Sequence, residues 1–374
     1  MNTKQQPLYS IICEELEKAI RSGELRPGNA LPSQNELARM YDVSTMTTRR
    51  ALGELERSGF ITRIQGKGSF VNHLSQGSEG FSRIGFVHHL TNETNNEGLF
   101  NPFYVNAIRG VIKGAEKHGL PVSYQIVSDT YDRIKIWDDT AWILLDASRD
   151  VVAKLKESNK PMVSIHSYYP DLDIPFVVSD DVAGGYEVTS HLLSLGHRRI
   201  GIFLPESLMN LPQEFSNRYQ GYVSALKQHK VELDARLIAE KVKISVYDGY
   251  VAAIEMLESR DPPTAIFALT DMQALGVLRA AEDLGIRVPD ELSIAGYDDQ
   301  VYSGIAEPAL TTVRQDVLAI GERAVDILVS EVEAKERQHL MVNLRPELVV
   351  RESTAKVYTQ EKEVNQVCVV GRSL

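Results

Sequence analysis

The chain has 374 residues, enough for two or three domains, and its 43% hydrophobic and 24% charged fractions are those of an ordinary globular protein. That excludes wholesale disorder, a collagen-like chain and a small disulfide scaffold, and two cysteines at opposite ends, Cys13 and Cys368, cannot build a structural zinc site. The net charge of -11 is uneven: residues 1–75 carry ten cations and eight carboxylates, net +2, and the rest carries thirty and forty-three, net -13. A slightly basic head on an acidic body is the asymmetry of a polyanion-binding module. Glu14, Glu15 and Glu17 interrupt the start, and no apolar run approaches the length of a membrane span. No secretory leader and no membrane association are therefore expected, and cysteine usage points to a reducing, cytoplasmic setting.

In the head, Leu8, Ile11, Ile12, Leu16 and Ile20 recur at helical spacing and predict a first helix ending near Gly23. Arg26-Pro27-Gly28 is a turn, and Ser33-Gln34-Asn35-Glu36 has the pattern of a capping box opening a short helix with Leu37, Ala38 and Met40 inside. Ser44 is the expected N-cap of a third helix running to about residue 58, with Met46, Ala51, Leu52 and Leu55 inward and Gly59 as its stop. Two strands, 60–64 and 69–71, flank the tight turn Gln65-Gly66-Lys67-Gly68. These elements make a winged helix-turn-helix. Thr45, Thr47, Thr48, Arg49 and Arg50 stand near the start of its third helix, where hydroxyls and guanidinium groups meet base edges and phosphates. Ser33 and Ser44 are candidate DNA contacts at the helix starts, and Gly66, Lys67 and Gly68 form a wing tip able to approach a phosphate. Two plainer readings stand beside this one: a winged helix also serves as a protein-docking module, and Arg49 or Arg50 can pair with Glu54 or Glu56.

Pro7-Leu8-Tyr9, Pro27-Gly28, Leu31-Pro32-Ser33, Leu37-Ala38, Val43-Ser44, Arg49-Arg50-Ala51-Leu52, Gly59 and Gly66-Lys67-Gly68-Ser69-Phe70-Val71 stand together and in order. With them the segment resembles the GntR-family DNA-binding domain nearly end to end. That family usually has Arg after the Val-Ser pair, where this chain has Thr45, so a different base preference is expected.

Residues 74–82, rich in Gly and Ser, read as a flexible linker. From residue 83 short apolar runs (84–87, 122–127, 141–145, 161–165, 200–204, 265–269, 292–296) alternate with helical periods. The first helix has Val105, Ile108, Val111, Ile112 and Ala115 inside, and later ones lie near 182–195, 217–229, 249–258 and 272–284. This is an α/β pattern of parallel, doubly wound sheets covered by helices, in two lobes, where ligands bind beyond the carboxyl ends of strands. Residues 176–185 and 191–201 resemble the effector domain of the LacI/GalR repressors. So do Arg218-Tyr219-Gln220-Gly221-Tyr222, Pro263-Thr264-Ala265-Ile266-Phe267, Leu292-Ser293-Ile294-Ala295-Gly296-Tyr297-Asp298-Asp299 and Arg351-Glu352-Ser353-Thr354. The resemblance, over about 82–354, implies a bilobed periplasmic-binding-protein-like fold around a small ligand. Crossings are placed near 179, 310 and 341, giving one lobe of 83–178 with 312–340 and another of 179–310 with 341–354. A GntR-type head on a LacI-type body is the layout of arabinose-repressor-like regulators. The LacI head and hinge helix are absent, so that family's minor-groove hinge mechanism is not carried over. Residues 128–140 are short for the usual helix there, and 355–374 read as a flexible tail.

The resemblance places the effector at Arg218 and Asp298, at Asp271 after Thr270 (the family usually has Asn there), at Phe103 and Tyr104 opening the first helix, and at Asp146 after the third strand of the first lobe. Each has an alternative: a lobe-stabilising ion pair for Arg218, capping for Asp298 and Asp271, core packing for Phe103 and Tyr104. His166 is a weaker candidate, and His191 and His197 fit packing better. The expected function is a regulator of operator DNA, a repressor of carbohydrate genes working as a homodimer on double-stranded DNA. A small effector, a sugar, bound between the lobes controls it. An activator or co-repressor-dependent regulator answering a non-sugar metabolite is the alternative. No phosphate loop, nucleophile elbow or metal spacing is present, so neither an enzyme, a cofactor nor a metal is expected. A transport receptor is disfavoured by the head.

Overall fold

A computed structural model describes residues 7–21, 24–26, 28–57, 60–64, 68–71, 81–89, 102–127, 134–135, 137, 139–167, 169, 171–334 and 341–357. The expectations for Gly23, Pro27, Gly59, Gly66, Lys67, the linker up to residue 80, 128–133 and the tail from 358 lie outside them. The head is built from α1 (Leu8–Arg21), α2 (Gln34–Met40), α3 (Thr45–Arg57) and the antiparallel strands β1 (Ile61–Ile64) and β2 (Gly68–Val71). The capping box opens α2 as expected: the Ser33 hydroxyl accepts from the Glu36 amide and the Glu36 carboxylate accepts from the Ser33 amide. Ile12, Leu16, Ile20, Leu31, Leu37, Ala51, Leu52, Leu55, Phe60, Ile61 and Val71 close the head's core.

Met40 and Met46, expected inward, are exposed at 66% and 72%. The buried stripe of α3 runs Thr48, Ala51, Leu52, Leu55, spaced by three, one and three. Met46 lies two residues before that stripe and falls off it.

Contacts divide the chain into two compact units, Met1–Ser179 with Asp316–Leu344, and Asp180–Gln315 with Arg345–Leu374. The first unit carries a six-stranded, all-parallel sheet from β3 (Arg83–His89), β4 (Val122–Val127), β5 (Thr140–Leu145), β6 (Met162–Ile165), β7 (Phe176–Ser179) and β13 (Met341–Leu344), in spatial order β13-β7-β6-β5-β3-β4. Every residue of β5 is buried, the signature of a strand covered on both faces. On one face α4 (Pro102–Lys117) and α11 (Val317–Ala334) pack on Phe86, Ile143 and Ile165; on the other, α5 (Arg149–Lys156) packs on Val87, Trp142 and Leu144. Val105 and Ile112 are about 40% exposed, not inside, because α4 turns its small residues Ala107, Gly110, Gly114 and Ala115 toward α11 and leaves those two outside.

The second unit holds a four-stranded parallel sheet, β11-β10-β8-β9, made of β8 (Ile200–Phe203), β9 (Ile238–Ala239), β10 (Ala265–Ala268) and β11 (Ser293–Ala295). Helices α6 (Asp181–Ser194) and α7 (Gln213–Gln228) bury one face, and α8 (Val246–Leu257) and α9 (Asp271–Asp283) the other. Short α10 (Val301–Ile305) follows β11, and β12 (Thr312–Arg314) pairs antiparallel with β14 (Glu347–Val349).

Three boundaries differ from expectation. Met341–Leu344 belongs to the first unit, because it extends that sheet in parallel register with Phe176–Ser179. Phe81, assigned to the linker, is buried in the first unit's core, and the Ser82 amide donates to the Asp139 carbonyl. Ala355–Val357, assigned to the tail, is tied down: the Ala355 amide donates to Ser293 Oγ and the Val357 amide to the Leu195 carbonyl.

Candidate nucleic-acid interface and effector site

Four exposed side chains stand at the start of α3: Thr45, Met46, Arg49 and Arg50. Ser44 caps the helix, its hydroxyl accepting from the Thr47 amide at 3.2 Å and sharing a 2.8 Å bond with the Thr47 hydroxyl. Gln34 Nε2 donates to the Thr45 carbonyl at 2.7 Å and fixes α2 against α3. The Arg50 guanidinium lies 4.0 Å from the centre of the Tyr9 ring, so α1 holds it by a cation–π contact. Thr48 is a correction. It is fully buried and its hydroxyl donates to the Gln34 and Thr45 carbonyls, so it pins the helix-turn-helix and has no surface to offer a base. Its position on the buried stripe is the reason. Gly68 has φ +114, the left-handed region glycine adopts freely at the base of the wing; Gly66 and Lys67 lie outside the described residues. Sequence reasoning missed Tyr9, Gln34 and Met46 as parts of this face.

In the first unit the carboxyl ends of β3, β5 and β6 present His88, Asp146 and His166. Asp146 and His166 have φ of 51° and 71°, backbone strain for non-glycine residues at the ends of two neighbouring strands. His166 Nδ1 is 2.5 Å from Asp146 Oδ1, and the Ser167 hydroxyl donates to the same oxygen at 3.0 Å. Burial pushes the Asp146 carboxyl up, but the His166 ring and these hydrogen bonds outweigh it and hold the carboxyl below its usual value. Phe103 meets the His166 ring edge-on at 4.6 Å, and Tyr104 lies 4.5 Å from the His88 ring. His88 Nδ1 pairs with the Tyr124 hydroxyl at 2.9 Å, while its Nε2 is buried without a hydrogen-bond partner among the described residues. Burial pushes the His88 imidazole below its usual value, so it is neutral at pH 7. Phe103, Tyr104 and Asp146 are thus brought together as expected, and His88, Tyr124 and Ser167 join them unforeseen. Their signal was position alone, since each follows or lies in a parallel strand.

In the second unit Arg218 of α7 is 2% exposed. Its Nε donates to Asp181 Oδ1 at 2.9 Å and its Nη1 to the Leu269 carbonyl at 2.6 Å. Its guanidinium lies 3.8 Å from the centre of the Tyr297 ring. Burial opposes its charge, but the carboxylates of Asp181 and Asp298 more than compensate, and it stays protonated. The internal ion pair weighed as the alternative for Arg218 is therefore present. A methyl group on Gly185 would run into the Arg218 backbone carbonyl, so only glycine there lets α6 and α7 close enough for the pair to form. Asp298, with φ +110, has its Oδ1 at 3.7 Å from Arg218 Nη2 and accepts from Gln315 Nε2 at 2.7 Å.

Asp271 is the second correction. It is fully buried, and its carboxylate accepts from the Gln300 amide at 2.9 Å and from the Ser303 and Thr312 hydroxyls at 2.6 Å each. Nor is it the helix cap: Thr270 caps α9, accepting from the Gln273 amide. One residue further on, Asp271 turns inward and knots α9 to the loop before α10. Burial and the neighbouring Asp298 charge push its carboxyl up to about 7. His197 likewise packs inside, bonding Thr264, Ser293 and the Ala355 carbonyl, and His191 bonds Thr354.

Residues 8–71 match the bacterial regulatory proteins of the gntR family, and residues 189–354 match the periplasmic binding protein-like domain. The HTH-type transcriptional regulator DegA of Bacillus subtilis is 33% identical over 275 residues, which span 70% of this chain and 80% of DegA. The chain belongs to this family of bacterial transcriptional regulators. The regulator also aligns with the arabinose metabolism transcriptional repressor of Geobacillus stearothermophilus, 27% identical over 96% of this chain and all of that one. Among solved structures, a LacI family regulator from Enterococcus faecium with bound ribose superposes with a TM-score of 0.63 at 25% identity. The alignment covers 73% of this chain and all of that one. Its winged head replaces the LacI-type head in front of a LacI-type body, as the motifs implied. Among the described residues no helix is long and apolar enough to cross a membrane, and no cluster of three or more His, Cys, Asp or Glu residues is placed to hold a metal.

Proposed function

We propose that the regulator is a repressor of carbohydrate-use genes whose hold on operator DNA is controlled by a sugar bound at the strand ends of its effector domain. The observation that carries this is the group at the ends of β3, β5 and β6. The Phe103 and Tyr104 rings suit the apolar face of a sugar, and the Asp146 carboxylate and the His88 and His166 rings suit its hydroxyls. The arabinose metabolism repressor supports a sugar effector, as does the regulator with bound ribose. In this reading Asp298 adds a carboxylate from the second unit, and Arg218 orients Asp298. Thr45, Arg49 and Arg50 read or grip the major groove, Ser33, Ser44 and Thr47 meet phosphates, and the wing of Gly66, Lys67 and Gly68 meets the backbone. Exposed Met46 suits a thymine methyl. A homodimer on a two-fold operator supplies two such readers, and its target places the protein in the cytoplasm.

The test is a thermal-shift series of the full chain with arabinose, ribose and cellobiose, followed by a gel shift on a duplex selected from a random library. A sugar present at 100 times its Kd stabilises the folded state by about 2.7 kcal/mol, and the same sugar releases the duplex. A protein that selects no duplex at low salt, or one that no sugar stabilises, refutes the reading.

A further inference from the structure

The chain leaves or enters the second unit at three places: before Asp180, after Gln315 and before Arg345. Each is anchored by a polar contact inside that unit. At the first, Asp181 pairs with Arg218 at 2.9 Å. At the second, Gln315 donates to Asp298 at 2.7 Å. At the third, Arg345 pairs with Glu187 of α6 at 2.6 Å. The first two anchors are not independent, because Arg218 Nη2 lies 3.7 Å from the Asp298 oxygen that holds Gln315. Asp181, Arg218, Asp298 and Gln315 therefore form one continuous relay between two crossings. The third anchor lies on the surface, with the Arg345 side chain 79% exposed, and shares none of these groups.

We propose that this relay couples effector occupancy to the connecting segments, and that Gln315 is its positioning residue. The inference rests on the sugar-controlled reading above. Asp181, Arg218 and Gln315 are buried, whereas the Asp298 side chain keeps 17% of its surface open, so Asp298 is the member a ligand reaches. A sugar hydroxyl donated to Asp298 Oδ1 competes with the Gln315 amide for that oxygen and draws the carboxylate from Arg218. One event thus loosens the second crossing directly and the first through the guanidinium. Arg314, next to Gln315, is held separately by Asp299 at 2.7 Å and Glu347 at 3.0 Å. The strand up to that point stays fixed while Gln315 is released.

The experiment uses the full chain and a duplex it has selected from a random library. Gln315→Met keeps the side-chain volume and removes the amide, and Gln315→Ala serves as a second variant should the first not fold. Breaking the relay mimics the sugar: without any sugar, binding to the duplex weakens about tenfold, within the usual range of coupling between sites, and arabinose changes it no further. Arg345→Ala cuts the unlinked anchor and retains both the affinity and the sugar response of the parent. Unchanged affinity in Gln315→Met and Gln315→Ala, or an equal loss in Arg345→Ala, overturns the proposal. A parent chain that selects no duplex overturns the regulator reading, and the inference falls with it.

Discussion

The strand ends of the two units use polar groups in opposite ways. In the first unit, Asp146, His166 and His88 lie beside aromatic rings, and His88 keeps a ring nitrogen without a partner among the described residues. In the second, Arg218 and Asp271 are buried and spend their bonds on neighbours of their own unit. A buried polar group left unpaired costs free energy that a ligand can recover, whereas a saturated one has little to give. The first unit is thus built to recognise, and the second to hold its own geometry and pass a change along.

That contrast is tested most severely at Arg218. Arg218→Ala strands Asp181 in the interior, and losing one partner of a buried ion pair costs about 3–5 kcal/mol. Chemical denaturation is expected to show a loss of that size; a variant of parental stability with sugar binding abolished would make Arg218 a ligand residue after all.

Asp271 gives the next largest effect, read as a pH dependence. Its folded pKa of about 7 lies above the model value of 3.8. The protonated form is favoured in the fold, so its contribution is fully present below the unfolded value and is lost as pH rises through 7. Denaturant titrations from pH 4 to 8 are expected to show the parent losing stability relative to Asp271→Asn across that window. Parallel curves would contradict the assignment.

Asp146→Asn sharpens the other side. It leaves the fold intact and removes the charge that a sugar hydroxyl meets, a charged hydrogen bond of about 1.5–3 kcal/mol, or roughly ten- to a hundredfold in affinity. Calorimetry with arabinose or whichever sugar stabilises the parent measures it. The smallest effect is expected from Tyr124→Phe, which takes the phenol from His88 Nδ1 and costs about 1 kcal/mol of stability. A several-fold change in sugar affinity with little change in unfolding midpoint is the expected pattern.

Much of the molecule was legible before its coordinates. The Ser33–Glu36 capping box appears where the motif put it, and 122–127 is a strand end to end. Helix α11 went unrecognised although Val317, Ile320, Ala324 and Leu328 recur at helical spacing, and it packs on α4 two hundred residues earlier in the chain. The readers of α3 were placed correctly except at Thr48 and Met46, where a stripe beginning two residues later exchanged their roles. For the effector site, chain position named Phe103, Tyr104, Asp146 and Asp298, but it named Asp271 in the same way and could not tell an open carboxylate from a saturated one.

The amino-acid order alone determined the elements, their parallel arrangement and the joining of a winged head to a LacI-type body. Local spacing, caps and apolar runs carry that information within a few residues. Only the tertiary structure decided which polar groups remain available. Asp181 finds Arg218 37 residues away and Asp271 finds Thr312 41 away, and whether a buried charge is satisfied depends on partners that no local pattern reveals.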